Sequence, residues 1–127
     1  MSQTAYGVLL VSHSAKLAEG VMELLKGSAP DVPITWTGGN DDGDLGASFE
    51  KIEAALRDND GNEVFAFYDL GSAKMTLDMV MEMSDKTVHL MDAAMVEGAY
   101  TAAALLQGEA SYETIMDQLL KLMIKQS

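Results

Sequence analysis

The sequence predicts an α/β fold: a doubly wound, mainly parallel four-stranded sheet of order 2-1-3-4 with helices on both faces. Short runs rich in Val, Ile, Leu, Phe and Tyr recur along the chain, and each is followed by apolar residues at helical spacing. The runs are too uniformly apolar to leave one face in water, which calls for strands covered on both sides. Strand–helix alternation then implies parallel pairing through right-handed crossovers. Sheets of this type commonly reverse direction between strands 1 and 3, so a crevice is expected between the loops after those two strands.

The first strand is Gly7-Val8-Leu9-Leu10-Val11, ending at Ser12-His13-Ser14. Leu17, Val21, Leu24 and Leu25 then fall at i, i+4, i+7 and i+8, the inner stripe expected of a helix ending at Lys26-Gly27. Pro30 and Pro33 bracket a turn before a short second strand, Ile34–Thr37. Ser48 is placed to cap a helix with Phe49, Ile52, Ala55 and Leu56 facing inward. Asn59–Asn62 reads as a turn, Val64–Tyr68 as the third strand, and Ala73–Met83 as a helix. A fourth strand is expected over Thr87–Met91, and helices over 96–106 and 111–125, with Gly108 between them.

The 127 residues suit one domain, expected over 1–127, and 48% apolar content with two prolines argues against disorder. No run approaches the ~18 apolar residues of a membrane span, and no basic, apolar, cleavable leader is evident. Without cysteine there is no disulfide or thiolate chemistry, which is compatible with a reducing cytoplasm. A net charge of −12 disfavours a nucleic-acid partner, because phosphate-backbone binding depends on Lys and Arg releasing counterions.

His13 is the leading candidate for chemistry. It follows the apolar run instead of sitting inside it, between two serines too small to cover it, at the strand end where open sheets bind ligands. Asp69 follows the third strand, so the topology places it across the crevice from His13 although 56 residues separate them. A carboxylate on one ring nitrogen fixes the imidazole tautomer, leaves the other nitrogen free to attack, and stabilises the charge of a phosphorylated ring. Ser12, Ser14, Ser48 and Ser72, with Gly38, Gly39, Gly46 and Gly71, lie on the same rim, where backbone N–H groups at helix starts suit phosphoryl oxygens.

At these residues the chain resembles a known family. Val11-Ser12-His13-Ser14, followed by Leu17-Ala18-Glu19-Gly20-Val21, is similar to the opening of the phosphotransferase subunit of bacterial phosphoenolpyruvate-dependent dihydroxyacetone kinase. That family is related to the mannose-type enzyme IIA domains of the phosphotransferase system (PTS). Leu45-Gly46-Ala47-Ser48, Asp69-Leu70-Gly71-Ser72-Ala73 and Met95-Val96-Glu97-Gly98-Ala99 extend the resemblance over most of the chain. The Asp-Leu-Gly-Ser-Ala loop differs from the Asp-Leu-Trp-Gly-Gly-Ser-Pro of sugar-transport relatives. The resemblance implies that His13 takes a phosphoryl group from phospho-HPr, itself fed by phosphoenolpyruvate and enzyme I. The group then passes to ADP in the nucleotide-binding kinase subunit, regenerating the ATP that phosphorylates dihydroxyacetone. Asp69 is implied to orient His13, and no cofactor is implied on this subunit, since ADP and magnesium belong to its partner. Some members carry additional carrier domains; a chain ending at 127 is expected to depend on separate enzymes instead. Ala47 stands where Thr is often seen, which shifts any hydroxyl role there to Ser48, backbone N–H groups or water. Relatives imply a homodimer, and the helical spacing of Ile115, Leu119, Leu122 and Met123 points to one mediated by helices, without the exchanged C-terminal strand of mannose-type relatives.

Rival readings fit less well. A signalling receiver domain needs an acidic pair after the first strand, where Ser12-His13-Ser14 stands. A flavodoxin-like module needs a Ser/Thr/Gly-rich phosphate loop there, and Ala15-Lys16-Leu17 is poor for it. A tetrapyrrole chelatase wants a second histidine at a strand end, whereas His89 lies inside the fourth strand. The ten methionines read as helix-face and core fillers, and no metal site is expected. Asn40–Asp44 suggests a calcium loop, but Leu45 and Lys51 occupy the positions that require Gly and Glu. The closest alternative within the carrier class is a mannose-type sugar-transport enzyme IIA; outside it, a cofactor- or metal-binding α/β module.

Overall fold

A computed structural model describes residues 5–124. The elements run β1 (Tyr6–Ser12), α1 (Ala15–Ser28), β2 (Ile34–Gly38), α2 (Phe49–Asp58), β3 (Glu63–Tyr68), α3 (Gly71–Met83), β4 (Thr87–Met91), α4 (Met95–Gln107) and α5 (Tyr112–Leu120). The sheet order is β2-β1-β3-β4, and every pairing is parallel. The doubly wound architecture expected from the alternation is the one observed.

Because side chains alternate across a strand, β1 and β3 supply two separate cores. Val8, Leu10, Phe65 and Phe67 pack with Val21 and Leu25 of α1, Ala99, Ala102 and Ala103 of α4, and Ile115 and Leu119 of α5. On the other face Leu9, Val11, Val64, Ala66 and Tyr68 pack with Ile52 and Leu56 of α2 and Leu77 and Val80 of α3. A strand with no solvent face has no reason to alternate polar and apolar residues, which explains the unbroken apolar runs.

Two helices depart from the sequence expectation. In α1 the buried residues are Ala18, Val21 and Leu25, while Leu17 and Leu24 are 44% and 56% exposed. The inner stripe is therefore narrower than four apolar residues suggest, and the helix runs one residue past Gly27. The last helix stops at Leu120 instead of reaching 125, whose own position lies outside the described residues. Leu122 and Met123 keep helical spacing and pack on the core, but the chain has turned to pair antiparallel with the segment after β4. Ala94 N–H donates to Leu122 O at 2.9 Å and Ile124 N–H to Asp92 O at 3.2 Å, around an Ala93–Met123 bridge.

At the amino-terminal end of the sheet, the presumed turn residue Asn59 is 2% exposed and acts as a polar plug. Its Nδ2 donates to Val8 O and Thr35 Oγ1, both at 3.0 Å, and its Oδ1 accepts from Gly61 N–H at 2.8 Å. Gly7 leaves the space it fills; a Cβ at that position would collide with the amide.

Candidate functional site

The crevice opens where the topology requires, between the chain leaving β1 and the chain leaving β3. Asp69 is held there as an acceptor at four positions. Its Oδ2 accepts from Ser12 Oγ at 2.7 Å and His13 N–H at 3.0 Å; its Oδ1 accepts from His13 Nδ1 at 3.0 Å and Leu70 N–H at 2.7 Å. Burial pushes this carboxyl up, but the hydrogen bonds from His13, Ser12 and the two backbone amides outweigh it and hold Asp69 below the usual carboxylate range. An ionised carboxylate only accepts, so Nδ1 carries a hydrogen, and in the neutral ring the lone pair is then on Nε2. Nε2 faces the hydroxyl of Ser72, in close hydrogen-bond contact. The side chains of His13 and Asp69 are 18% and 15% exposed, so the pair is shielded yet open at its Nε2 edge.

Local sequence explains each placement. Ser14 caps α1, its hydroxyl accepting from Leu17 N–H at 3.3 Å, while its own N–H donates to Ser12 Oγ at 3.0 Å. The His13 carbonyl accepts from Gly46 N–H at 3.0 Å, which ties the histidine to the β2–α2 loop. Helix α3 starts after Leu70, which supplies no side-chain cap, whereas Ser14, Ser48 and Ser111 cap α1, α2 and α5. The first turn of α3, carrying Gly71 and Ser72, therefore meets the crevice with its amide end uncapped by any side chain.

The residues named on the rim divide into two groups. Ser72 and Asp69 bond His13, Ser12 bonds Asp69, and Ser14 bonds Ser12. Gly38, Gly39 and Ser48 are engaged elsewhere. A Cβ on Gly38 would lie 2.6 Å from Ala15 N, so glycine here lets β2 pass close to the start of α1. Gly39, at φ +83°, spends its N–H on Ser12 O at 3.3 Å. Ser48 is 5% exposed; its hydroxyl caps α2 and donates to Asp41. Ala47 pairs with Gly39 in a short parallel bridge.

The 40–44 loop closes on itself. Asn40 Oδ1 accepts from the N–H groups of Asp42 and Asp44 at 2.9 and 3.0 Å, and Lys51 Nζ donates to Asn40 O at 2.7 Å. Among the described residues no group of His, Cys, Asp or Glu is arranged to hold a metal. His89 lies in β4 as expected, with Nε2 2.7 Å from Glu63 Oε1, an ion-pair partner that spacing alone did not indicate. Also absent from the sequence reading was a cluster beside the site: Asp92 Oδ1 accepts from Tyr68 Oη and from Lys74 Nζ at 3.0 Å. Burial and the Asp92 carboxylate push the Tyr68 phenol well up, which keeps it a donor.

Residues 7–116 match the family described as the PTS system fructose IIA component. The chain belongs to that family. It is 41% identical over 120 residues to the phosphotransferase subunit DhaM of the PTS-dependent dihydroxyacetone kinase of Lactococcus lactis, covering 94% of this chain and 98% of that one. A Listeria innocua protein, the phosphoryl donor subunit DhaM of PEP-dependent dihydroxyacetone kinase 1, is 44% identical over 120 residues, covering 94% and 97%. The fold is similar to the crystal structure of EF1359, a protein of unknown function, with a TM-score of 0.81 at 29% identity over 96% of this chain and 98% of that one. No helix among the described residues is long and apolar enough to cross a membrane.

Proposed function

We propose that this member of the PTS IIA family is the phosphoryl carrier subunit of a phosphoenolpyruvate-dependent dihydroxyacetone kinase, with His13 as the residue phosphorylated. The observation that carries the proposal is the orientation of the His13 ring, with Nδ1 on the Asp69 carboxylate and Nε2 turned toward the uncapped start of α3. The relatives named DhaM supply the substrate class.

In the forward step the Nε2 lone pair attacks the phosphorus of a phosphohistidine on HPr. The N–P bond to the donor ring breaks, and its electron pair returns to the donor nitrogen. His13 becomes a phosphorylated imidazolium, and Asp69 offsets that charge through the Nδ1–H bond. The amides and hydroxyl at the start of α3 face the incoming oxygens, once Ser72 Oγ yields the space it fills beside Nε2. In the second step an ADP oxygen in the nucleotide-binding subunit attacks the phosphorus, the Nε2–P bond breaks, and neutral His13 returns. ADP and magnesium sit in that partner; this subunit needs no cofactor of its own.

The surface around the site favours protein partners over a small substrate. Leu17, Leu45 and Leu70, on the segments that frame His13, are 44%, 76% and 60% exposed. Two cavities among the described residues, of about 250 and 660 Å³, lie at the other end of the sheet, lined by residues such as Leu56 and Lys86 or Tyr6 and Tyr112. We place the protein in the cytoplasm with its phosphoenolpyruvate-fed donors, and take it as a homodimer; a monomeric mass by light scattering at micromolar concentration overturns the dimer. Reconstitution with labelled phosphoenolpyruvate, enzyme I and HPr, then with either the kinase's ADP subunit or a sugar-transport partner, tests the function. The label is expected on nitrogen, lost in acid and stable in alkali, and discharged only to ADP. Acid-stable label, or discharge to the sugar-transport partner alone, overturns it.

A further inference from the structure

The first turn of α3 faces the reactive nitrogen without a side-chain cap, and an uncapped turn frays. A capping side chain at position 70 would crowd the turn that brings the Ser72 hydroxyl to Nε2, so the turn has to be held from its far side. Lys74, two residues beyond Ser72, does this: its Nζ donates to Asp92 Oδ1 at 3.0 Å and lies 5.9 Å above the Tyr68 ring. The same oxygen accepts from the Tyr68 hydroxyl, and Tyr68 immediately precedes Asp69. The backbone of Asp92 is fixed in turn, since its carbonyl accepts from Ile124 N–H at 3.2 Å. One carboxylate oxygen thus joins the ends of β3 and β4 to the turn that carries Ser72.

We propose that Asp92 is a positioning residue for phosphoryl transfer: through Lys74 and Tyr68 it sets the first turn of α3, and with it Ser72, against His13 Nε2. This rests on the carrier function proposed above. Stability is a poor reason for the arrangement. Lys74 and Asp92 are 18% and 22% exposed, and a pair so shielded gives back in desolvation much of what it gains in attraction. What a shared carboxylate does supply is a fixed direction for two groups on different elements.

The test follows His13 phosphorylation by phospho-HPr in Asp92→Asn, Lys74→Met, Lys74→Arg and Tyr68→Phe. Asp92→Asn and Lys74→Met are expected to lower the saturated rate roughly tenfold, the scale of a sub-ångström misplacement, with the KM for phospho-HPr unchanged. Lys74→Arg keeps charge and reach and recovers most of that rate; Tyr68→Phe loses a smaller part. ¹⁵N NMR of the His13 ring supplies a readout independent of turnover: Asp92→Asn shifts Nε2, which touches Ser72, and leaves Nδ1, which touches Asp69. A wild-type rate in both Asp92→Asn and Lys74→Met overturns the proposal, as does a raised KM at unchanged saturated rate. If Asp92→Asn does not fold, Lys74→Met is read in its place, by rate and by ring shifts. If the wild-type protein is not labelled on His13 at all, the carrier function fails, and the ring shifts alone decide whether Asp92 positions α3.

Discussion

Two histidine–carboxylate pairs lie on one sheet, alike in contact distance and in the shielding of the imidazole, and they differ in what surrounds the ring. His13 and Asp69 meet beyond the carboxyl ends of β1 and β3 at 3.0 Å; Glu63, the first residue of β3, meets His89, the central residue of β4, at 2.7 Å. The ring of His89 packs beside two aromatic rings, 5.3 Å from Phe65 and 5.1 Å from Tyr112 between centroids, with one nitrogen on Glu63. The ring of His13 has its bonded nitrogen fixed and its other nitrogen facing the open start of a helix. A carboxylate partner is therefore common to both histidines, and what sets His13 apart is its second nitrogen on the side-chain-uncapped start of α3.

The broadest test of that contrast exchanges each histidine for alanine. His13→Ala is expected to abolish labelling from phosphoenolpyruvate while the protein stays folded, at a cost of about 1 kcal/mol for the lost bonds to Asp69 and Ser72. His89→Ala should be labelled at the wild-type rate yet lose roughly 2 kcal/mol, from two ring contacts and an ion-pair partner. Phosphate counting and thermal melts on the same samples decide it; full labelling of the His13 variant contradicts the mechanism.

Asp69→Asn separates orientation from nucleophilicity. It keeps the shape and a hydrogen bond but removes the charge that offsets the phosphorylated ring, so labelling should slow by roughly 10²-fold without vanishing. The same variant carries a pH signature. With its folded-state pKa below the ordinary value of about 3.9, Asp69 stabilises the protein above that value, and the contribution is lost as pH falls through the folded-state pKa. Denaturant midpoints from pH 6 to pH 3 should therefore fall less steeply in Asp69→Asn than in the wild type. Parallel curves exclude the linkage, and wild-type labelling removes Asp69 from the mechanism.

The meeting of His13 and Asp69 was legible in the sequence for a topological reason. A 2-1-3-4 parallel sheet brings the chain after its first and third strands together whatever else the residues do, so His13 and Asp69 follow from the element order. The opposite end depends on register, which periodicity does not report: Phe65 pairs with His89 and Glu63 with Thr87, and only that alignment brings Glu63 to the imidazole. Leu17 and Leu24 show the same limit in a helix, since spacing reveals a stripe but not how much of it the sheet covers. At the C-terminus, Leu122 and Met123 satisfy helical spacing and sheet-edge packing equally, and the backbone bonds to Asp92 and Ala94 decided between them. Lys74 and Asp92 escaped notice because a charged residue in a first turn and another after a strand are each ordinary.

Asn59 marks the amino-terminal end as a stability element. Asn59→Ala leaves Gly61 N–H without its acceptor in a buried site and removes the bonds to Val8 O and Thr35 Oγ1, which should cost about 3 kcal/mol, seen as a lowered denaturant midpoint. Labelling of the folded fraction should stay at the wild-type rate. A labelling defect at full stability would mean the two ends are coupled.

The smallest effect is expected at Ser72, where the resting contact and the reacting contact oppose each other. Its hydroxyl bonds Nε2 before transfer, so removing it frees the lone pair; afterwards the same hydroxyl is placed to donate to a phosphoryl oxygen. A neutral hydrogen bond is worth about 1 kcal/mol net, and the two contributions partly cancel in the rate. Ser72→Ala should therefore change the forward rate by no more than a few-fold, while the phosphorylated form, lacking one donor, hydrolyses or discharges several-fold faster. Single-turnover phosphorylation and the lifetime of the isolated phosphoprotein measure the two separately. A forward rate down by a factor of a hundred would place Ser72 beside Asp69 as an essential partner of His13, and the first turn of α3 would then act mainly through its side chain.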